Sequence, residues 1–171
     1  SWKKISFYFI EGITGDAEED TIARFVLYTT SIKILIDYFP FGSGFGSFAT
    51  YASGLYYSHI YNQYGIENVW GISKNFYSFI ADTYYPSLAQ FGFIGIILYI
   101  TFWIYVFKKA LTFFQKTKQA KLMIIVLLLI CFFGIEGTSD STITTHRGLF
   151  MMMVIGLMLS EMKNKIANSK S

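Results

Sequence analysis

The sequence predicts an all-α integral membrane protein, a polytopic helical bundle with a large loop outside the membrane that carries an amphipathic helix. Three observations predict it. First, 53% of the chain is hydrophobic and 20% aromatic, with only 15% charged, against about 25% charged in ordinary soluble domains. Second, three apolar runs in the second half approach the length that a bilayer requires. Third, Lys108, Lys109, Lys116, Lys118 and Lys121, together with Lys163, Lys165 and Lys170, fall where three spans would place them on one membrane face. A formal net charge of +3 leaves a nucleic-acid partner without its electrostatic basis.

The chain opens on Ser1 rather than methionine and reads as a piece of a longer protein. Residues 1–11 are too short and too charged to span, and read as the end of a preceding span or a lead-in at the interface. Asp16 stands three residues before Glu19, a capping-box-like spacing. Glu18, Glu19 and Asp20 suit the positive end of a helix. That helix is expected over about 17–39. Arg24 shares a face with Thr21, Tyr28 and Ser31, while Ile22, Val26, Thr29 and Ile36 take the other side. Its charges Arg24, Lys33 and Asp37 place it at the membrane surface or in a protein-lined cavity rather than in lipid. Pro40 ends it, and Gly42, Gly44 and Gly46 permit a tight, closely approachable backbone.

Residues 45–85 show no sustained helical or strand period. Tyrosines recur at 51, 56, 57, 61 and 64, either as an interfacial aromatic belt or as faces on which sugars stack. Composition favours the belt. His59 in this stretch reads as a solvated loop residue. The region 1–87 is thus one extracytoplasmic unit. Three transmembrane helices follow in 88–171, at about 88–107, 119–137 and 144–162, with a Lys-rich cytoplasmic loop at 108–121 and a cytoplasmic tail. Gly92 and Gly95 in the first span allow close helix contact. Cys131, the single cysteine, is expected to pack as a small apolar residue. The positive-inside rule makes the lysine face cytoplasmic and sends 12–87 and 137–147 to the outside of a multi-pass protein.

This topology gathers Arg24, Asp82, Glu136, Asp140, His146 and Arg147 on the outer side, near helix ends, where ionisable groups usually mark a site. The caps available in SDSTITT put His146 and Arg147 in the first turn of the last helix, where a cation opposes the helix dipole. An anion bound by Arg147, Arg24 and helix amides would compensate. Pairing of Arg147 with Glu136 or Asp140, or snorkelling to headgroups, would also do so. The glycine run is GxGxG, without the spacing of a dinucleotide site, and no GK[ST] follows it. No CxxC, HxxxH or carboxylate box supports a metal, and no cofactor is indicated.

Three stretches carry a resemblance: ARFVLYTTSIKILIDYFPFGSGFGSF from Ala23, ADTYYPSLAQFGFIGIILY from Ala81 and THRGLFMMMVIGLML from Thr145. In order and spacing the chain resembles the C-terminal half of the O-antigen ligase/polymerase superfamily, in particular Wzy-type polymerases of capsular and exopolysaccharide. In that family an arginine followed by P-x-G-x-G lies in the large external loop. A polar residue then precedes a Q/E-x-G-x-x-G span, and basic residues sit near the outer end of a later helix. Arg24, Pro40 to Gly46, Asp82, Gln90 to Gly95, and His146–Arg147 occupy those places. Ligases of the superfamily usually carry H-N before the Q/E-x-G-x-x-G span. Ala81–Asp82–Thr83 lacks that histidine, which favours a polymerase and moves the base role to Asp82.

The resemblance implies a GT-C-like fold in the bacterial cytoplasmic membrane. It implies polymerisation of undecaprenyl-diphosphate-linked repeat units on the outer side, without a metal, with a flippase and a chain-length regulator as further partners. On that basis Arg24 and Arg147 would grip the diphosphate, and Asp82 would take the acceptor proton, with Asp140 or His146 behind it. Gly42, Gly44, Gly46, Tyr28, Tyr51, Tyr57 and Gln90 would contact substrate. Three alternatives stand: a ligase passing glycan to a lipid or protein acceptor, a component of a membrane transporter, and a non-catalytic membrane scaffold in which the arginines merely anchor. A transporter should show inverted repeats and mid-membrane charges, and neither is visible in the sequence.

Overall fold

The computed structural model describes residues 19–168. The expected lead-in at 1–11, the Asp16 end of the capping pair and the tail beyond Asn168 lie outside the described residues. Among them the fold is helical, with no strand. The chain divides after Ile96 into two compact units, 1–96 and 97–171.

The first unit opens with α1 (Glu19–Asp37), followed by two five-residue helices, α2 (Tyr51–Leu55) and α3 (His59–Gln63). A 3-10 segment, Tyr85–Phe91, then leads into the first turn of α4 (Gly92–Thr117). Ala23, Leu27 and Ile34 of α1 are buried against Phe48, Ile60, Ile72, Ile80 and Ala89. Each fully buried Leu or Ile there contributes roughly 1.5–3 kcal/mol. The polar side of α1 also turns inward: Ser31 is buried and the Arg24 side chain is only 19% exposed. Ile22, Phe25, Ile32 and Ile36 face outward instead, joined by Phe39, Phe41 and Phe45. The expected division of the helix into a polar and an apolar side is not kept: Val26 packs against the core while Ile22 and Ile36 face outward, and Lys33 and Asp37 are exposed beside the outward apolar residues.

The tyrosine stretch is more ordered than its sequence suggests. Thr50 and Ser53 form a capping box at the start of α2, and Ser58 caps α3. Tyr61 is fully buried; its hydroxyl accepts from the Ala49 amide at 3.0 Å and lies 2.7 Å from Ser53 Oγ. Tyr38 and Tyr64 tie the end of α1 to α3 and the residue after it through Gln63 (2.9 Å) and Asp37 (2.6 Å). Tyr51 and Tyr56 remain exposed.

Burial pushes the Tyr61 hydroxyl up to about 12, against smaller opposing hydrogen bonds from Ser53 and Ala49. Burial likewise lifts Tyr28 to about 12, with Arg24 pulling the other way. Both groups are held neutral by folding, so their stabilisation is complete below the ordinary tyrosine value of 10.0. It is lost as pH climbs from there towards 12. Thermal melts across that range should show stability falling, and Tyr61→Phe should flatten the fall. A midpoint independent of pH between those limits would contradict it.

The second unit contains the rest of α4, then α5 (Ala120–Glu136), a short 3-10 turn (Thr142–Thr144) and α6 (His146–Asn168). Val106, Ala110 and Phe113 bury one face of α4 against Leu122, Val126 and Phe133 of α5 and Ile155 and Met162 of α6. With its 3-10 entry, α4 is the one helix among the described residues long and apolar enough to cross a membrane. Only 17% of its most apolar window is buried, which sets it apart from the core helix of a soluble protein. α5 has 17 residues, about 26 Å at 1.5 Å per residue, shorter than the roughly 30 Å hydrocarbon core. α6 ends in a charged turn around Glu161, Lys163 and Lys165.

Where a loop was expected from 108 to 121, α4 continues through Lys108, Lys109 and Lys116 to Thr117. Lysine is a good helix former and KKALTFFQKT holds no breaker. The helix stops at Lys118, whose φ of 55° supplies the left-handed exit that glycine usually provides. Cys131, expected to pack among apolar neighbours, is exposed on α5.

Candidate functional site

Two pairings in the first unit bring together stretches far apart in sequence. Arg24, on α1, points its guanidinium at Asp82, 58 residues on, in the turn before the 3-10 segment. Its Nε donates to Asp82 Oδ2 at 3.0 Å, and Nη2 donates to the same oxygen. The pair is half-buried. The hydroxyl of fully buried Thr83, beside Asp82, has no hydrogen-bond partner among the described residues. Tyr28 lies one turn after Arg24 on the same helix.

The second pairing joins the two glycine motifs. Gly42, with φ of 79°, and Gly92, with φ of 64°, cross backbone to backbone. A Cβ on Gly42 would overlap the Gly92 amide and the carbonyls of Ala89 and Gln90. The Gly44 amide donates to the Gln90 carbonyl at 3.0 Å, and the Gly46 amide to Gln90 Oε1 at 2.6 Å. Gln90 is buried, so its side chain serves to hold the 40–46 loop rather than facing open solvent. The loop therefore spends much of its hydrogen-bonding capacity on the segment leading into α4. Gly44 itself has open space around it.

In the second unit α6 begins at His146, which puts His146 and Arg147 in its first turn. Arg147 Nη2 lies 3.8 Å from Asp140 Oδ2, and both side chains are exposed enough for water to screen the pair. The Thr142 hydroxyl lies 2.7 Å from Glu136 Oε1 and 3.2 Å from Asp140 Oδ2. A single hydroxyl proton cannot satisfy both carboxylates fully, and Glu136 Oε2 is buried without a partner among the described residues.

Sequence reasoning missed one feature. A cleft of about 470 Å³ in the first unit is lined by Tyr56, Tyr57, Asn62, Glu67, Lys74 and Asn75. His59, expected as a solvated residue, is exposed on its wall. The Tyr57 hydroxyl and Glu67 Oε2 are both buried without partners among the described residues. Tyr57 has φ of 33°, a left-handed conformation uncommon for an aromatic residue. Burial, and behind it the Glu67 carboxylate, raises its hydroxyl above the ordinary tyrosine range. Of the lining residues only Tyr57 was expected to contact substrate; IENVWGISKN carries no periodicity that would mark Glu67 or Asn75. No group of three or more metal-ligating side chains occurs among the described residues.

No protein-family model matches this chain, and no curated protein or solved structure matches it either.

Proposed function

We propose that the protein is a multi-pass membrane glycosyltransferase that polymerises lipid-diphosphate-linked oligosaccharide repeats on the outer side of the bacterial cytoplasmic membrane. In this reading α5 and α6 cross the bilayer together with α4, and the lysine-rich ends lie in the cytoplasm. The observation that carries it is the convergence in the first unit. Arg24 pairs with Asp82 and the 40–46 loop with the Gln90–Gly92 turn, and these are four of the five places on which the family resemblance rests.

The chemistry requires a cation at the departing diphosphate and an acceptor for one proton. The acceptor sugar hydroxyl attacks the anomeric carbon of the growing chain. The bond from that carbon to the diphosphate oxygen breaks, and the electron pair leaves on the carrier-linked diphosphate. The hydroxyl proton passes to a carboxylate. Arg24 is assigned to the diphosphate, since a guanidinium stays charged and meets phosphate oxygens in a fork. Asp82 Oδ1 is assigned to the proton, while Oδ2 holds Arg24 in place. Arg147, at the start of α6, is assigned to anionic substrate on the resemblance alone.

The glycan profile of a strain lacking the protein tests the reading. Single repeats on the carrier or on the final acceptor are the expected outcome. Long polymer stranded on the carrier would indicate a ligase instead, and an unchanged profile would end the transferase reading.

A further inference from the structure

The cleft beside α2 and α3 has a composition that the transfer chemistry does not use. Its volume of about 470 Å³ lies within the roughly 300–1,000 Å³ of small-molecule sites. Its wall mixes an aromatic face, Tyr56 at 83% exposed, with the amide side chains of Asn62, Asn68 and Asn75. Glu67 and Lys74 are its only formally charged side chains, so the site is balanced in charge. That balance disfavours a phosphate or another strongly anionic ligand. Two of the lining residues, Tyr57 and Glu67, also carry buried oxygens without a partner among the described residues. Tyr57 offers a proton, and Glu67 Oε2 can only accept one when ionised.

We propose that this cleft holds a neutral sugar ring of the glycan, with Tyr57 and Glu67 as its binding residues. A sugar hydroxyl satisfies both oxygens at once, accepting from the Tyr57 O–H while donating to Glu67 Oε2. Neighbouring hydroxyls pair with the amide groups, and the C–H face of the ring lies against Tyr56. The left-handed backbone at Tyr57 is consistent with a side chain placed for contact, because strain of this kind collects at ligand sites. The inference rests on the transferase reading in that it makes the sugar part of the glycan substrate; the cleft chemistry stands independently of it.

Buried polar atoms left unpaired cost stability, so replacing them with groups of the same shape should cost none. Tyr57→Phe and Glu67→Gln are therefore expected to melt at the same temperature as the parent protein or above it. The binding probes are the methyl glycosides of glucose, galactose and N-acetylglucosamine, followed by saturation-transfer NMR on the full chain in detergent. Binding of at least one glycoside is expected, weakened about tenfold or more in each variant. No saturation transfer to any of the three, or transfer undiminished in both variants, would overturn the proposal. An unchanged glycan profile in the strain lacking the protein, with glycoside binding weakened in the cleft variants, would overturn the transferase reading and leave the cleft standing. The reverse pattern would overturn the cleft alone.

Discussion

Arg24→Lys is expected to abolish long-chain glycan while the protein remains at its normal level in the membrane. Arg24 reaches one Asp82 oxygen through two different nitrogens. A lysine ammonium is shorter, is a single point of charge, and cannot hold Asp82 while presenting a planar fork to a diphosphate. Losing one donor to a developing anion typically slows reaction on the order of 100-fold or more. A gel ladder of surface glycan gives the readout, and polymer of normal length would remove Arg24 from the chemistry. The reciprocal exchange, Arg24→Asp with Asp82→Arg, separates catalysis from architecture. If the pair only braces the fold, the exchange restores both protein level and polymer. If the guanidinium must stand where it does, protein level recovers and polymer does not. Arg147→Lys is expected to shorten the polymer as well.

Gly42→Ala is expected to be among the most damaging small substitutions in the first unit. The new methyl group would overlap backbone atoms of Gly92, Ala89 and Gln90, none of which can rotate away, and φ at this position is 79°. Left-handed strain alone costs about 1–2 kcal/mol; prying the loop from its partner adds to that, for a total of about 4 kcal/mol or more. Gly44→Ala is the control, since nothing lies within 4 Å of a Cβ there, and it should show only the strain of about 1–2 kcal/mol. Thermal unfolding in detergent measures both. Equal losses in the two variants would mean that the backbone crossing does not hold the loop.

Part of this molecule was legible in the sequence and part was not, for identifiable reasons. The helix ending before Pro40, the apolar run that becomes α4 and the placement of His146 in the first turn of α6 follow from local rules of propensity and capping. Arg24 and Asp82 were each nominated separately. That they bond to each other depends on how α1 packs against the 3-10 segment, and no local pattern encodes such a contact across 58 residues. The glycines announced a tight loop but not its partner. Close approach at Gly42 is a property of two backbones, and a sequence displays only one at a time. Tyr61 shows the opposite failure. Composition placed it among belt tyrosines, whereas a serine and a backbone amide satisfy its hydroxyl and let it enter the core. Glu67 could not have been found, because one acid in an irregular loop carries no periodic mark.

The crossing of Gly42 over Gly92 also sets an order for biosynthesis. The loop that follows α1 obtains its amide partner at Gln90 and its backbone seat at Gly92 from chain made later by the ribosome. Until Ile94, whose amide donates to the Pro40 carbonyl at 3.4 Å, has been synthesised, residues 40–46 have nothing to settle on. Closing so long a loop carries an entropic cost that local contacts cannot defray. Residues 40–46 must therefore wait for the start of α4 to be made. Arrival of that helix and settling of the loop would then be one event in the life of the nascent chain.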